Sequence, residues 1–320
     1  MRAIRVDGPG EVSLAELPVP TPAPGEVLIR VAFSGICATD HKLAARGFET
    51  PRILGHEIAG RLEDETAVGV HPEIGCGRCE FCRAGFENRC ASRVSIGIDR
   101  DGGLAEYVTV PESNIVPLGA LSLREAPLLE PLACSLHAVE LLEVESDEPA
   151  LVVGAGTMGL LAMLALRSRG ARVAVSQRSP LRRHLASELG ADVVVGPGED
   201  PGPLLGEPPA VVIVTAPTSQ ALSYALEVVA VGGRVHAFAG VPGGGEIDAN
   251  VIHYRHLALI GSTGSRLADY HRALDLVGSG KIDLTRFPTQ MVSLEEARDV
   301  VVGERGVDAS KMMIELEKGV

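Results

Sequence analysis

Ala150-Leu151-Val152-Val153-Gly154-Ala155-Gly156-Thr157-Met158-Gly159 opens with four apolar residues and runs straight into a Gly-x-Gly-x-x-Gly turn. Residues 160–169 then continue as an apolar helical stretch that stops at Gly170. The order is strand, glycine turn, helix. Gly154, Gly156 and Gly159 permit a tight turn and let backbone N–H groups approach a pyrophosphate at the positive end of the following helix. In a chain with 37 glycines the spacing alone carries little. Its place between a strand and a helix makes it a dinucleotide-binding candidate.

Downstream, a second strand over residues 171–176 ends where such a fold meets the adenosine ribose. Many dinucleotide sites put an acid there to accept from the ribose hydroxyls; this chain has Ser176-Gln177-Arg178-Ser179. A carboxylate would repel a 2′-phosphate, whereas Arg178 can pair with one and the serine hydroxyls can donate to it. Ser179-Pro180 reads as an N-cap and first helical residue, which puts Arg182 and Arg183 in a first turn where cations oppose the helix dipole unless an anion lies between them. Arg167, Arg169 and Arg172 read as solvated surface. The other three arginines favour NADP(H), with NAD(H) served by Gln177 as the alternative. Apolar runs at 192–195, 210–216, 233–240 and 257–262, with a helical 220–230, continue the alternation and predict an α/β doubly wound parallel sheet.

Upstream, residues 1–116 read as short strands at 3–6, 12–14, 26–33, 56–62 and 105–110, broken by Pro and Gly, which suggests an irregular β-barrel. The stretch 18–25 holds four prolines and reads as loop. Two groups of metal-ligand candidates lie here. Cys76, Cys79, Cys82 and Cys90 have the spacing C-x2-C-x2-C-x7-C, which lets four thiolates close around one tetrahedral ion. Cys37, His56, Glu57 and Glu130 are separated in sequence, and a thiolate, an imidazole and carboxylates suit a catalytic zinc with one open position. A lone Gly-His-Glu or Glu-Pro has ordinary structural readings, so the second group is the weaker signal.

Gly35-Ile36-Cys37-Ala38-Thr39-Asp40, Gly55-His56-Glu57, the cysteine loop, Gly103-Leu104-Ala105-Glu106-Tyr107-Val108 and Glu130-Pro131-Leu132-Ala133 occur in the order of the zinc-dependent medium-chain dehydrogenases. The chain resembles that family over nearly its whole length. Glu130 resembles the polyol (sorbitol) and threonine dehydrogenase branch.

The resemblance implies a GroES-like catalytic domain over 1–134 and 266–320 and a Rossmann domain over 135–265. It implies hydride transfer between a secondary alcohol, polyol or sugar and NADP(H), with catalytic and structural Zn2+ and assembly as a homodimer or homotetramer. Thr39 matches the family's relay hydroxyl. The next relay group is Lys42 or its neighbour His41, and Glu57 and Glu130 would serve the zinc directly or through water. Two departures stand out. The stretch between Glu57 and Cys76 is about ten residues shorter than usual, and Thr263-Gly264 replaces an Arg-Tyr pair common in the polyol branch. The alternatives are an NAD-dependent alcohol or threonine dehydrogenase, and a zinc- and dinucleotide-binding protein without catalysis.

Helical spacing at Leu267, Tyr270, Leu274 and Val277, and the capping box Ser293-Leu294-Glu295-Glu296, predict two late helices. A net charge of −13 and a pI near 5.2 argue against nucleic acid or an anionic membrane as partner. No apolar run approaches the ~20 residues of a membrane span. The start Met1-Arg2-Ala3-Ile4-Arg5 has no secretory pattern, so reduced cysteines and a cytoplasmic setting are expected. Cys134 reads as a small buried residue.

Overall fold

The apolar run before the glycine turn forms the strand Pro149–Val153, buried along its whole length. The computed structural model describes residues 1–303 and 311–317. Around this strand lies a six-stranded parallel sheet in the order Val193–Val195, Arg172–Ser176, Pro149–Val153, Val211–Val214, Arg234–Ala237, Ala258–Gly261. Strands covered by helices on both faces need no polar side, which is why they read as continuous Val and Ala runs. The order reverses between Pro149–Val153 and Val211–Val214, and ligands of such sheets bind beyond the strand ends at that reversal. Cys134–Gly264 and Ser279–Phe287 make up this unit.

The other unit comprises Met1–Ala133, Ser265–Gly278 and Pro288–Val320. Its largest sheet has seven strands. Ile115–Pro117, Ala67–Val70, Glu57–Arg61, Glu26–Ile36, Lys311–Glu315 and Thr289–Val292 lie side by side, and Tyr107–Pro111 also pairs with the long Glu26–Ile36. The shortened stretch after Glu57 is absorbed in a hairpin. Glu57–Arg61 pairs with Ala67–Val70 in unbroken register, and the turn closes by the Leu62 N–H donating to the Thr66 carbonyl at 3.0 Å, with Glu65 at φ 66°.

Both late helices form. The first is Leu267–Gly278, and the second, Leu294–Val301, is capped reciprocally: the Glu296 N–H donates to Ser293 Oγ at 3.1 Å and the Ser293 N–H to Glu296 Oε2 at 2.8 Å. No helix of the described residues is long and apolar enough to cross a membrane.

Candidate active site

Cys37 ends the long strand Glu26–Ile36 and serves as N-cap of helix Ala38–Arg46. Asp40, one turn on and fully buried, reaches back to accept from the Cys37 N–H at 2.7 Å and also from the Gly55 N–H at 3.2 Å. One carboxylate thereby ties the segment bearing Cys37 to the segment bearing His56 and Glu57. Gly55 must be glycine for this: its φ is 97° and a Cβ would lie 2.7 Å from Leu104. The result is a cluster in which one donor atom each from Cys37, His56 and Glu57 lie within 4.8 Å of one another. Glu130, in the first turn of helix Leu129–Leu141 and 8% exposed, stands outside that tight group but within electrostatic reach of His56.

The electrostatics describe a set short of a cation. Burial works against a charged His56, yet the Cys37 thiolate, Asp40 and Glu130 outweigh it and raise its pKa well above the ordinary value. Such a site favours a cation, and a donor set of one thiolate, one imidazole and carboxylate oxygens fits zinc. Asp40 Oδ1 lies 3.8 Å from His56 Nδ1, beyond hydrogen-bond reach.

Lys311 was not visible in the sequence as a site residue. It is 3% exposed and its ammonium pairs with Glu57 Oε2. Burial lowers its pKa, but Glu57 and Cys37 more than compensate and the net shift is upward. Gly35, opposite Glu57 in the ladder, leaves the room: a Cβ would fall 1.8 Å from Glu57 Oε2 and 2.9 Å from Lys311 Cε. Asp40 and Lys311 escaped notice for the same reason. An Asp three residues into a helix and a Lys in a C-terminal strand are common, and only the fold brings them to the ligands.

Of the relay candidates, Thr39 is half-buried in the first turn after Cys37 and Lys42 is exposed. His41 is committed elsewhere, its Nδ1 donating to the Val301 carbonyl at 2.9 Å.

The four cysteines of the loop also converge. They are unpaired and their sulfurs lie within 4.8 Å of one another, with Cys79–Cys82 at 3.4 Å and Cys76–Cys82 at 3.9 Å. A tetrahedral zinc with Zn–S bonds near 2.3 Å needs sulfurs about 3.8 Å apart, so this cage has the right size. The N–H groups of Arg78 and Cys79 lower the Cys76 pKa to about 6, which readies a thiolate at neutral pH.

At the glycine turn, Gly154 has φ 107°, and a Cβ on Gly159 would lie 1.9 Å from the Gly154 carbonyl, so both are required by backbone packing. Gly156, the N-cap of helix Thr157–Ser168, has no atom within 4 Å of where a Cβ would sit. Nothing among the described residues needs a glycine there, and the open space at the helix N-terminus has room for a phosphate.

At the end of Arg172–Ser176 the candidates divide. Ser176 turns inward and donates to the Gly196 carbonyl at 3.2 Å, and Ser179 Oγ caps helix Pro180–Glu188, so neither serine is as available to a ligand as its sequence position suggests. Gln177 Oε1 accepts from the Ser179 N–H at 3.1 Å. Arg183 braces the turn by donating to the Gln177 and Arg178 carbonyls at 2.8 and 3.3 Å. Arg178 is exposed and has no ion pair among the described residues.

Residues 23–120 match the alcohol dehydrogenase GroES-like domain and residues 157–279 the zinc-binding dehydrogenase domain. This chain belongs to the zinc-binding dehydrogenases. The enzyme is 32% identical to L-galactonate-5-dehydrogenase of Escherichia coli K12 over 94% of its own length and 96% of that protein's. Its fold matches a protein from Sinorhizobium meliloti 1021, described as a zinc-binding dehydrogenase and solved with NADP, at a TM-score of 0.91, 32% identity and 98% coverage of both chains. The NADH complex of a protein from Escherichia coli CFT073, called a short chain alcohol dehydrogenase, matches at a TM-score of 0.91 with 25% identity, covering 98% of this chain and 99% of that one. The dehydrogenase is therefore a zinc-type alcohol or polyol oxidoreductase with a GroES-like and a Rossmann domain, in the polyol and threonine dehydrogenase branch.

Proposed function

We propose that this dehydrogenase oxidises a secondary hydroxyl of a polyol, sugar or sugar acid with NADP+, or runs the reverse reduction. The observation that carries the reading is the buried cluster of Cys37, His56 and Glu57 with Glu130 beside it. Bound there, zinc would supply Lewis acidity to the alcohol oxygen, and a nicotinamide would take the hydride.

Each residue of the chain then has a task. Cys37, His56 and Glu57 would hold the metal, with Glu130 completing its shell directly or through water. Asp40 fixes the backbone of two ligand segments. Lys311 holds one Glu57 oxygen, and so fixes how that carboxylate presents the other. Thr39 would accept the alcohol proton, with exposed Lys42 better placed than His41 to pass it on, since His41 is bound to Val301. Cys76, Cys79, Cys82 and Cys90 would hold structural zinc.

For the cofactor, Gly154, Gly156 and Gly159 would receive the pyrophosphate and Arg178 the 2′-phosphate. Arg183 would position that turn through Gln177, while Ser176 would bound the ribose pocket from its buried position. The absence of an acid from 176–179 supports NADP(H). The resemblance to a sugar-acid dehydrogenase supports a hydroxylated substrate. The setting would be cytoplasmic and the assembly a homodimer or homotetramer.

The test is absorbance at the reduced-nicotinamide band with NADP+ and NAD+ against hexitols, pentitols, aldonates, L-threonine and simple secondary alcohols. Turnover of a polyol or aldonate with NADP+ is expected. Turnover restricted to L-threonine, or to NAD+, would overturn the substrate or cofactor part respectively.

A further inference from the structure

Tyr270 is fully buried in helix Leu267–Gly278, and its hydroxyl makes no hydrogen bond among the described residues. The Val70 backbone is near without acceptable hydrogen-bond geometry. A buried phenol without a partner is destabilising and calls for an explanation. Its surroundings point to one.

The hydroxyl stands over Gly69, where a Cβ would lie 2.4 Å from its oxygen. Gly69 pairs with Ala59, and residues directly opposite in an antiparallel ladder share a face. Glu57, two residues before Ala59, points to that same face. The hydroxyl is thus delivered to the sheet face that carries a metal-ligand carboxylate, through a gap that only glycine leaves. Burial, followed by the charges of Glu130 and Glu57, pushes its pKa upward, so it is a neutral O–H with a proton to give.

The helix bearing Tyr270 is in turn held by the cysteine lobe. The guanidinium groups of Arg89 and Arg266 lie 4.5 and 5.1 Å from the Phe86 ring, and the Leu267 N–H donates to Glu87. Arg266 is locked to Asp269 by hydrogen bonds of 2.9 and 2.7 Å, and the His71 ring, whose Nε2 donates to the Ser265 carbonyl at 3.1 Å, meets the Tyr270 ring edge-on at 6.0 Å.

We infer that Tyr270 is a positioning residue of the catalytic metal site, its hydroxyl donating through one water to the ligand carboxylate on that sheet face, with the cysteine lobe setting where that hydroxyl stands. The inference rests on the reading of Cys37, His56 and Glu57 as metal ligands. It assigns the lobe a task beyond stability.

The experiment compares parent, Tyr270→Phe and Gly69→Ala holoenzymes by zinc competition against a chromophoric chelator, with thermal unfolding alongside. Thermal unfolding shows that each variant remains folded. The weaker-binding zinc equivalent should lose affinity ~10–100-fold, as lost outer-shell partners do, while the cysteine-held equivalent stays put. Gly69→Ala should weaken the same equivalent, and less so when Tyr270→Phe is already present. Unchanged competition in Tyr270→Phe, or a fall in melting temperature with unchanged competition, would overturn the inference and leave Tyr270 as packing. A parent that binds two zinc ions but turns over no alcohol would sink the substrate reading without touching this comparison.

Discussion

The two candidate metal clusters of this enzyme are built by opposite means. The cysteine loop takes all its ligands from residues 76–90, and its cage needs only a short helix and a few turns. The Cys37, His56 and Glu57 cluster is drawn from a strand end and a second strand, with Glu130 from a distant helix. It stays together because buried groups outside the ligand set, Asp40 and Lys311, hold its backbone and its charge. Local ligands make a brace; dispersed ligands make a site whose geometry the whole domain controls.

The largest effects should cross over between the two. Cys37→Ala should cut turnover on the order of a thousandfold or more while the melting temperature holds, because the Lewis acid is lost from a fold that does not depend on it. Cys82→Ser should do the reverse, costing several kcal/mol in denaturant unfolding with the Cys37 ligands intact. Equal stability losses for both variants would break the distinction.

That distinction also decides what could be read from the sequence. Cysteine spacing is a local code, and the structure brings all four sulfurs within 4.8 Å of one another. The glycine turn was legible for the same reason, because strand, turn and helix are consecutive. The dispersed site was legible only through its resemblance to a family. Asp40, Lys311 and Tyr270 act through register: Lys311 is set beside Glu57 by the pairing of Lys311–Glu315 with Glu26–Ile36, and no local pattern encodes that. Ser176 shows the limit of that local code. Its position suggested a ligand contact, but strand alternation turns it toward Gly196.

Lys311→Met sharpens the contrast next. It leaves the buried Glu57 carboxylate without its partner and should cost about 3–5 kcal/mol in urea unfolding, with Lys311→Arg recovering part. A loss under about 1 kcal/mol would mean that the pair does not hold the site.

Buried histidines extend the comparison to the other unit. His56 sits among anions and is shifted up, whereas His236, fully buried with Nε2 3.0 Å from Ser262 Oγ, is pushed down to about 4 by burial and then by His137. The folded His236 refuses a proton that the unfolded chain accepts below its ordinary value of 6.5. Stability should therefore fall as pH drops from about 6.5 to 4, by up to ~3 kcal/mol from this residue. His236→Asn should flatten that slope in a pH series of unfolding curves; an unchanged slope would show that other groups carry it.

The smallest expected effect is at the cofactor. Arg178→Ala should lower the ratio of kcat/KM for NADP+ over NAD+ by ~10–100-fold through loss of one charge-assisted contact. A constant ratio would return Arg178 to the solvated surface.

The most direct test is metal stoichiometry by elemental analysis of parent, Cys37→Ala and Cys82→Ser proteins after dialysis. Two zinc ions per parent chain and one in each variant are expected, with turnover lost only where the Cys37 cluster is the emptied one. A parent with a single ion, or a Cys37→Ala protein that keeps two, would contradict the assignment of that cluster as the catalytic metal site.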